Sequence, residues 1–302
     1  MVRKTLAVAV LLGSSFLLYQ VTYSHYTKHT SPNSCCNATP TKSNRFDNLI
    51  HTNGVPSPTI QELFNILGKP CPKDLKDLNE YAQREWIRKE GVERWDLDQQ
   101  KLDQKFMPVF KKLGLIDEIK PEKKQFEYAF IMGALAERMK IRIAYLEKLK
   151  NEGYVFNHIV LLAGLRPANA IKEPEWVGKT EADIMMDLYK KSSLPQDRVQ
   201  LVCAPMKIDS SGLPTIRPNT DDTILAFKDS EQAHAHQGSC VVISNSPFIP
   251  RPVSLFRMLL PHTFDIYGAG DAANEDIAMA VIFDELARLI FAELKLFNQL
   301  HQ

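Results

Sequence analysis

The 302-residue sequence lacks the short signatures that assign chemistry at sight. It has no glycine-rich dinucleotide fingerprint and no phosphate-binding loop of the Walker type, so nothing local argues for redox chemistry with a dinucleotide or for an NTPase. No G-x-S-x-G elbow is present, and Ser244 and Ser246 are not followed by a recognisable histidine and acid arrangement. Histidine is scarce, with 8 residues. His158 and His262 border strand-like runs, and His234 and His236 form an H-x-H pair that could grip a metal. A helix, however, turns positions i and i+2 to different faces, so the pair reads as solvated surface. The 5 cysteines, Cys35, Cys36, Cys71, Cys203 and Cys240, form neither a C-x-x-C pair nor zinc-ligand spacing with histidine. Excess charge is missing as well. Lys plus Arg number 37 and Asp plus Glu 36, and the resulting +1 predicts neither an extended nucleic-acid surface nor a strongly acidic partner.

What is present first is export grammar. Arg3 and Lys4 precede an uncharged apolar run over residues 5–23, close to the roughly 20 residues that a membrane span needs. No small-x-small cleavage site follows, so residues 1–23 read as a signal anchor. The basic pair holds the N-terminus in the cytoplasm and sends the bulk of the chain across the membrane. Residues 24–58, rich in Ser, Thr, Asn and Pro, read as a flexible linker that contains an Asn37-Ala38-Thr39 sequon. An exported location would also allow Cys35 or Cys36 to pair with Cys71.

Residues 59–124 read as a helical segment. Ile60, Leu63, Phe64 and Leu67 recur at helical spacing before Gly68 and Pro70 end the pattern. Tyr81, Trp86, Trp95, Phe106, Val109 and Phe110 are interspersed in the charged stretch that follows, and its tryptophans are expected to fill a core. Residues 125–302 change rhythm. Strand-like runs (FEYAFIM, HIVLLAG, RVQLVCA, SCVVISN, TFDIYG) alternate with helix-like ones (RMKIRIAYLEKLKNEG, TEADIMMDLYKK, TDDTILAFKDSEQAHA, VSLFRMLLP and residues 274–300). Alternation of this kind predicts an α/β fold with a doubly wound, mostly parallel five-stranded sheet, Rossmann-like in architecture. Such sheets bind ligands at the carboxyl ends of their strands.

That rule selects the candidates. Gly133 and Gly164 each put one glycine at a strand tip, Ser246 follows the fourth strand, and YGAGDAAN reads as a tight turn before a helix. Glu181, Asp183, Asp221 and Asp222 open two helices, where the positive helix end favours carboxylates. The functional alternative has Glu181 and Asp222 projecting at the ligand edge, one acting as general base or ion ligand. Arg166 and Arg251 lie at neighbouring tips and could clamp a phosphate or carboxylate; surface salt bridges are the alternative for both. Pro252 suits the first position of the helix after Arg251.

Four of these pieces resemble, in order, the bacterial envelope family that includes SanA, ElyC and YdcF: IMGALAERMKIR, TEADIMMDLY, NTDDT and SNSPFIPR. Position by position, Glu181 matches the family glutamate, Thr220 its threonine and Arg251 its arginine. The chain departs from the pattern at Asp222 (glutamate in the family), Thr223 (asparagine) and Phe248 (histidine), and Ala163-Gly164-Leu165 stands where members often have Ser-Gly-Gly. The resemblance implies a membrane-anchored, envelope-associated protein that handles a small anionic ligand, phosphate-bearing or lipid-linked, in envelope assembly or maintenance. Catalysis, if present, would be hydrolytic or transfer chemistry through Glu181 or Asp222, with Gly133, Gly164, Arg166, Thr220, Ser246 and Arg251 binding the ligand. Phenylalanine cannot transfer a proton or ligate a metal, so Phe248 favours the rival reading, a non-catalytic binding or scaffold protein whose residues 59–124 dock a partner. The sequence names no cofactor.

Overall fold

Two-faced burial explains why the strand runs are almost continuously apolar. The computed structural model describes residues 49–231 and 238–301, all within the compact unit Lys42–Gln302. The apolar run 5–23, Cys35, Cys36, Asn37, His234 and His236 lie outside the described residues. In chain order the elements are α1 (Pro58–Leu67), α2 (Leu75–Glu85), α3 (Met107–Lys112), β1 (Gln125–Met132), α4 (Ala136–Asn151), β2 (Val155–Gly164), α5 (Glu181–Lys190), β3 (Val199–Ala204), α6 (Thr220–Glu231), β4 (Gly238–Asn245), α7 (Pro250–Leu259), β5 (Phe264–Asp271) and α8 (Met279–Leu300).

The five strands are all parallel, in the order β3-β2-β1-β4-β5. The fold is therefore α/β and Rossmann-like. From β1 the chain steps outward through β2 to β3, then returns past β1 to β4 and β5. The winding reverses between β1 and β4, and the crevice above the carboxyl ends of these two strands is where such sheets bind ligands. Ala129, Ile131, Leu161, Ala163, Val241 and Ile243 turn to the face that α4 and α5 cover. Their neighbours Phe130, Met132, Val160, Leu162, Cys240 and Val242 turn to the face that α6 and α7 cover. Each large side chain so buried contributes about 1.5–3 kcal/mol.

Residues 59–124 share a core with the last helix. Ile60, Leu63, Phe64, Phe106 and Phe110 pack with Phe283, Leu286 and Ile290 of α8. The Trp86 ring sits 5.1 Å from Phe283 and 5.4 Å from Tyr81, as expected of a core filler. Among the described residues, no helix is long and apolar enough to cross a membrane.

Local chemistry sets the helix starts. At α5, Thr180 Oγ1 accepts from the Asp183 amide at 3.2 Å and the Asp183 carboxylate accepts from the Thr180 amide at 2.9 Å. The Thr180 hydroxyl and amide hold the Asp183 carboxyl below its ordinary range. Thr180→Ala is expected to cost about 1 kcal/mol, read as a lower urea midpoint; an unchanged midpoint would show that the cap contributes nothing.

Two expectations are corrected. YGAGDAAN does not make its turn at the glycines, because Gly268 and Gly270 lie inside β5. A Cβ at Gly270 would stand 2.1 Å from the Ser244 carbonyl oxygen, and one at Gly268 would stand 2.7 Å from Ile249, so both glycines serve close packing. The helix after Arg251 begins at Pro250 rather than Pro252, which places Arg251 second in α7.

Candidate functional site

Three arginine-centred networks meet above the β1–β4 reversal. The first is at the tip of β2, where Arg166 Nε donates to Glu181 Oε2 at 2.5 Å, Nη1 to Glu173 at 3.0 Å and Nη2 to the Ala134 carbonyl at 2.9 Å. The Gly164 amide donates to Glu181 Oε1 at 3.0 Å. Gly133 is required here, because a Cβ would stand 2.1 Å from Glu181 Oε1 and 2.8 Å from the Leu162 carbonyl. Burial pushes the Glu181 carboxyl up, against the pull of Arg166 and the Gly164 amide. Burial opposes ionisation of Glu173 too, but the Asn169 and Ala136 amides and Arg166 outweigh it and hold that carboxyl low.

The second network hangs on adjacent acids of α8. Asp284 and Glu285 are both fully buried. Glu285 accepts from Arg251 Nε at 2.6 Å and Arg94 Nη2 at 2.5 Å, while Arg251 Nη1 reaches Thr220 Oγ1 at 3.2 Å. Asp284 accepts from Arg94 Nε at 3.3 Å, Arg288 Nε at 3.1 Å and the Arg88 amide at 3.2 Å. Arg166 and Arg251 thus sit in buried ion pairs, which differ from surface pairs in that stranding one partner is costly.

The third network has no carboxylate. Arg142, 4% exposed, donates Nη1 to the carbonyls of Met132 (2.7 Å) and Gly133 (2.9 Å), and Nε and Nη2 to Asn245 Oδ1 (3.2 and 3.1 Å). It fastens the end of β1 to the end of β4. One turn earlier, the Arg138 guanidinium lies 4.3 Å from the centre of the Phe248 ring, and Arg94 lies 4.5 Å from the same ring. Burial pushes Arg142 down to about 9. Burial, then the nearby Arg94 charge, pushes Arg138 down to about 10. Both stay charged at neutral pH, and neither has an ion-pair partner among the described residues. Beside them, Ser244 Oγ is buried and makes no hydrogen bond among the described residues.

These networks line an inner recess of about 240 Å³ that joins an outer cleft of about 890 Å³. Among the described residues, seven arginines border the recess and Glu93 is its single acidic residue. Of the residues expected from sequence, Gly133, Gly164, Arg166, Glu181, Thr220 and Arg251 line this cleft. Asp222 does not line it. Its carboxylate accepts from the Asn219 amide at 2.7 Å, its own amide donates to Asn219 Oδ1 at 3.1 Å, and Lys207 pairs with it at 2.8 Å. Asp222 is thus held in the cap of α6. Ser246 is also elsewhere, donating to the Asp117 carbonyl at 2.9 Å.

Sequence reasoning missed Arg94, Arg138, Arg142 and Ser244 as site residues. One signal was available. Arg138 and Arg142 are like charges four apart at the start of the helix after β1, unfavourable for an isolated helix by both spacing and dipole. Among the described residues, no group of His, Cys, Asp and Glu could hold a metal ion.

Fold and site together describe a Rossmann-like α/β protein with an arginine-lined crevice at its winding reversal. No family model, curated protein or solved structure matches the chain.

Proposed function

We propose that this protein binds a small, multiply charged anion of the phosphate type above the ends of β1 and β4. The observation that carries the reading is the pair Arg138 and Arg142, a half-buried and a buried guanidinium with no ion-paired carboxylate among the described residues, next to the Ser244 hydroxyl, which has no hydrogen-bond partner there either. A buried charge costs several kcal/mol per ion unless countered, and an anion in the recess supplies the counter-charge. Support also comes from the resemblance to the envelope family, since Gly133, Glu181, Thr220 and Arg251 border one cleft. The apolar run 5–23 supports a membrane-anchored protein whose bulk lies outside the cytoplasm. Phe248, with the Arg94 and Arg138 guanidiniums within 4.5 Å of its ring centre where the family has histidine, favours binding over proton-transfer chemistry.

Isothermal titration with pyrophosphate tests the reading. Arg138→Gln is expected to weaken binding about 10- to 100-fold, the worth of a charge-assisted contact, with no fall in the urea midpoint. Equal binding by the parent chain and the variant, or none by either, overturns it.

A further inference from the structure

We infer that the ligand carries a terminal dianionic phosphoryl group in the inner recess and a polar organic group, of sugar or nucleoside size, in the outer cleft. This rests on the anion-binding reading above and adds the ligand's class.

Charge decides the first half. The recess holds two guanidiniums without carboxylate partners, whereas Arg94 and Arg251 share Glu285 and Arg166 is matched by Glu173 and Glu181. A monoanion such as a phosphodiester or carboxylate leaves one of the two uncompensated, and a phosphoryl terminus at neutral pH carries the second charge. Ser244 adds a hydroxyl that costs no protein hydrogen bond to recruit. Backbone amides contribute little here, because Pro250 and Pro252 remove two N–H groups from the first turn of α7. Side chains therefore hold the group.

Size and wall chemistry decide the second half. At about 240 Å³ the recess falls below the range of pockets that enclose an organic molecule, while the outer cleft at about 890 Å³ falls within it. Thr220, Arg166 and Arg251 border both, so one ligand can occupy both compartments. Asn219, Asp221 and Lys295 share the outer wall with Ile216 and Leu255, and Phe291, 43% exposed, adds a ring with the Lys295 ammonium 4.6 Å from its centre. A wall of mixed polarity suits hydroxyls and a heteroaromatic ring better than an aliphatic chain.

The test titrates the intact chain with inorganic phosphate, glucose 1-phosphate, uridine 5′-monophosphate and 3′,5′-cyclic uridine monophosphate, a monoanionic diester. The expected order has at least one monoester binding ten times more tightly than phosphate, and the cyclic diester binding at least ten times more weakly than the open nucleotide. Ser244→Ala is expected to weaken phosphate about 3- to 10-fold, as for one lost hydrogen bond, at unchanged stability. If phosphate binds but neither monoester gains, or the cyclic diester matches the open one, the inference falls while the anion-binding reading stands. Unchanged phosphate affinity in Ser244→Ala takes the phosphoryl group out of the recess and overturns the inference. If none of the four binds, both fall.

Discussion

Replacing Glu285 with leucine will lower the unfolding free energy by about 3–5 kcal/mol, the usual result of removing one partner from a buried ion pair. Glu285 is fully buried between Arg94 and Arg251. Without it, Arg94 retains Asp284 at 3.3 Å, but Arg251 keeps only the Thr220 hydroxyl at 3.2 Å. The Arg251 side chain is 18% exposed, so it is too enclosed for water to replace the carboxylate fully. Leucine fills the space without supplying the acceptor. In a urea titration the midpoint should fall with the slope unchanged. A loss below about 1 kcal/mol would mean that Arg251 swings into the cleft and hydrates there, as a weakly held surface pair does.

Arg142→Met sets two effects against each other. The substitution removes a buried charge that has no counter-ion, which favours the variant. It also strands three acceptors, the Met132 and Gly133 carbonyls and Asn245 Oδ1, all now served by one guanidinium. A stranded buried acceptor costs about 1–3 kcal/mol, and Met132 and Gly133 border the cleft, where water can recover part of that. The stranding should win, with a net loss of about 2–4 kcal/mol in equilibrium unfolding. Arg142→Lys should not restore the loss, since a single ammonium cannot reproduce the planar fork that spans two strand ends. A variant more stable than the parent would show that relief of the buried charge dominates.

The sheet was legible because burial on both faces leaves a local trace, as in FEYAFIM and HIVLLAG, which became β1 and most of β2. The glycines of YGAGDAAN were misread because their reason is not local. The atom that excludes a side chain at Gly270 is the Ser244 carbonyl, on a neighbouring strand. In the same way, Asp284 and Glu285 look like ordinary helical acids until the fold brings Arg88, Arg94 and Arg251 to them from distant parts of the chain. Arg166 and Arg251 could be located from strand tips alone, since a parallel sheet brings every tip to one edge, whereas Glu181 was legible as a helix opening and Thr220 through the family resemblance. Which of those residues face the crevice depends on caps and partners, and that separates Glu181 from Asp222.

The two prolines at the start of α7 bear on how this site can change over evolutionary time. An amide cradle is inherited with its backbone, so altering what it holds means rebuilding a loop. Here the donors are the ends of long side chains rooted in the Arg94 turn, α4 and α7, each a single codon away from another length or charge. On the proposed reading, a substitution at one of these arginines alters which anion fits while leaving the sheet and the β1–β4 reversal that opens the crevice intact.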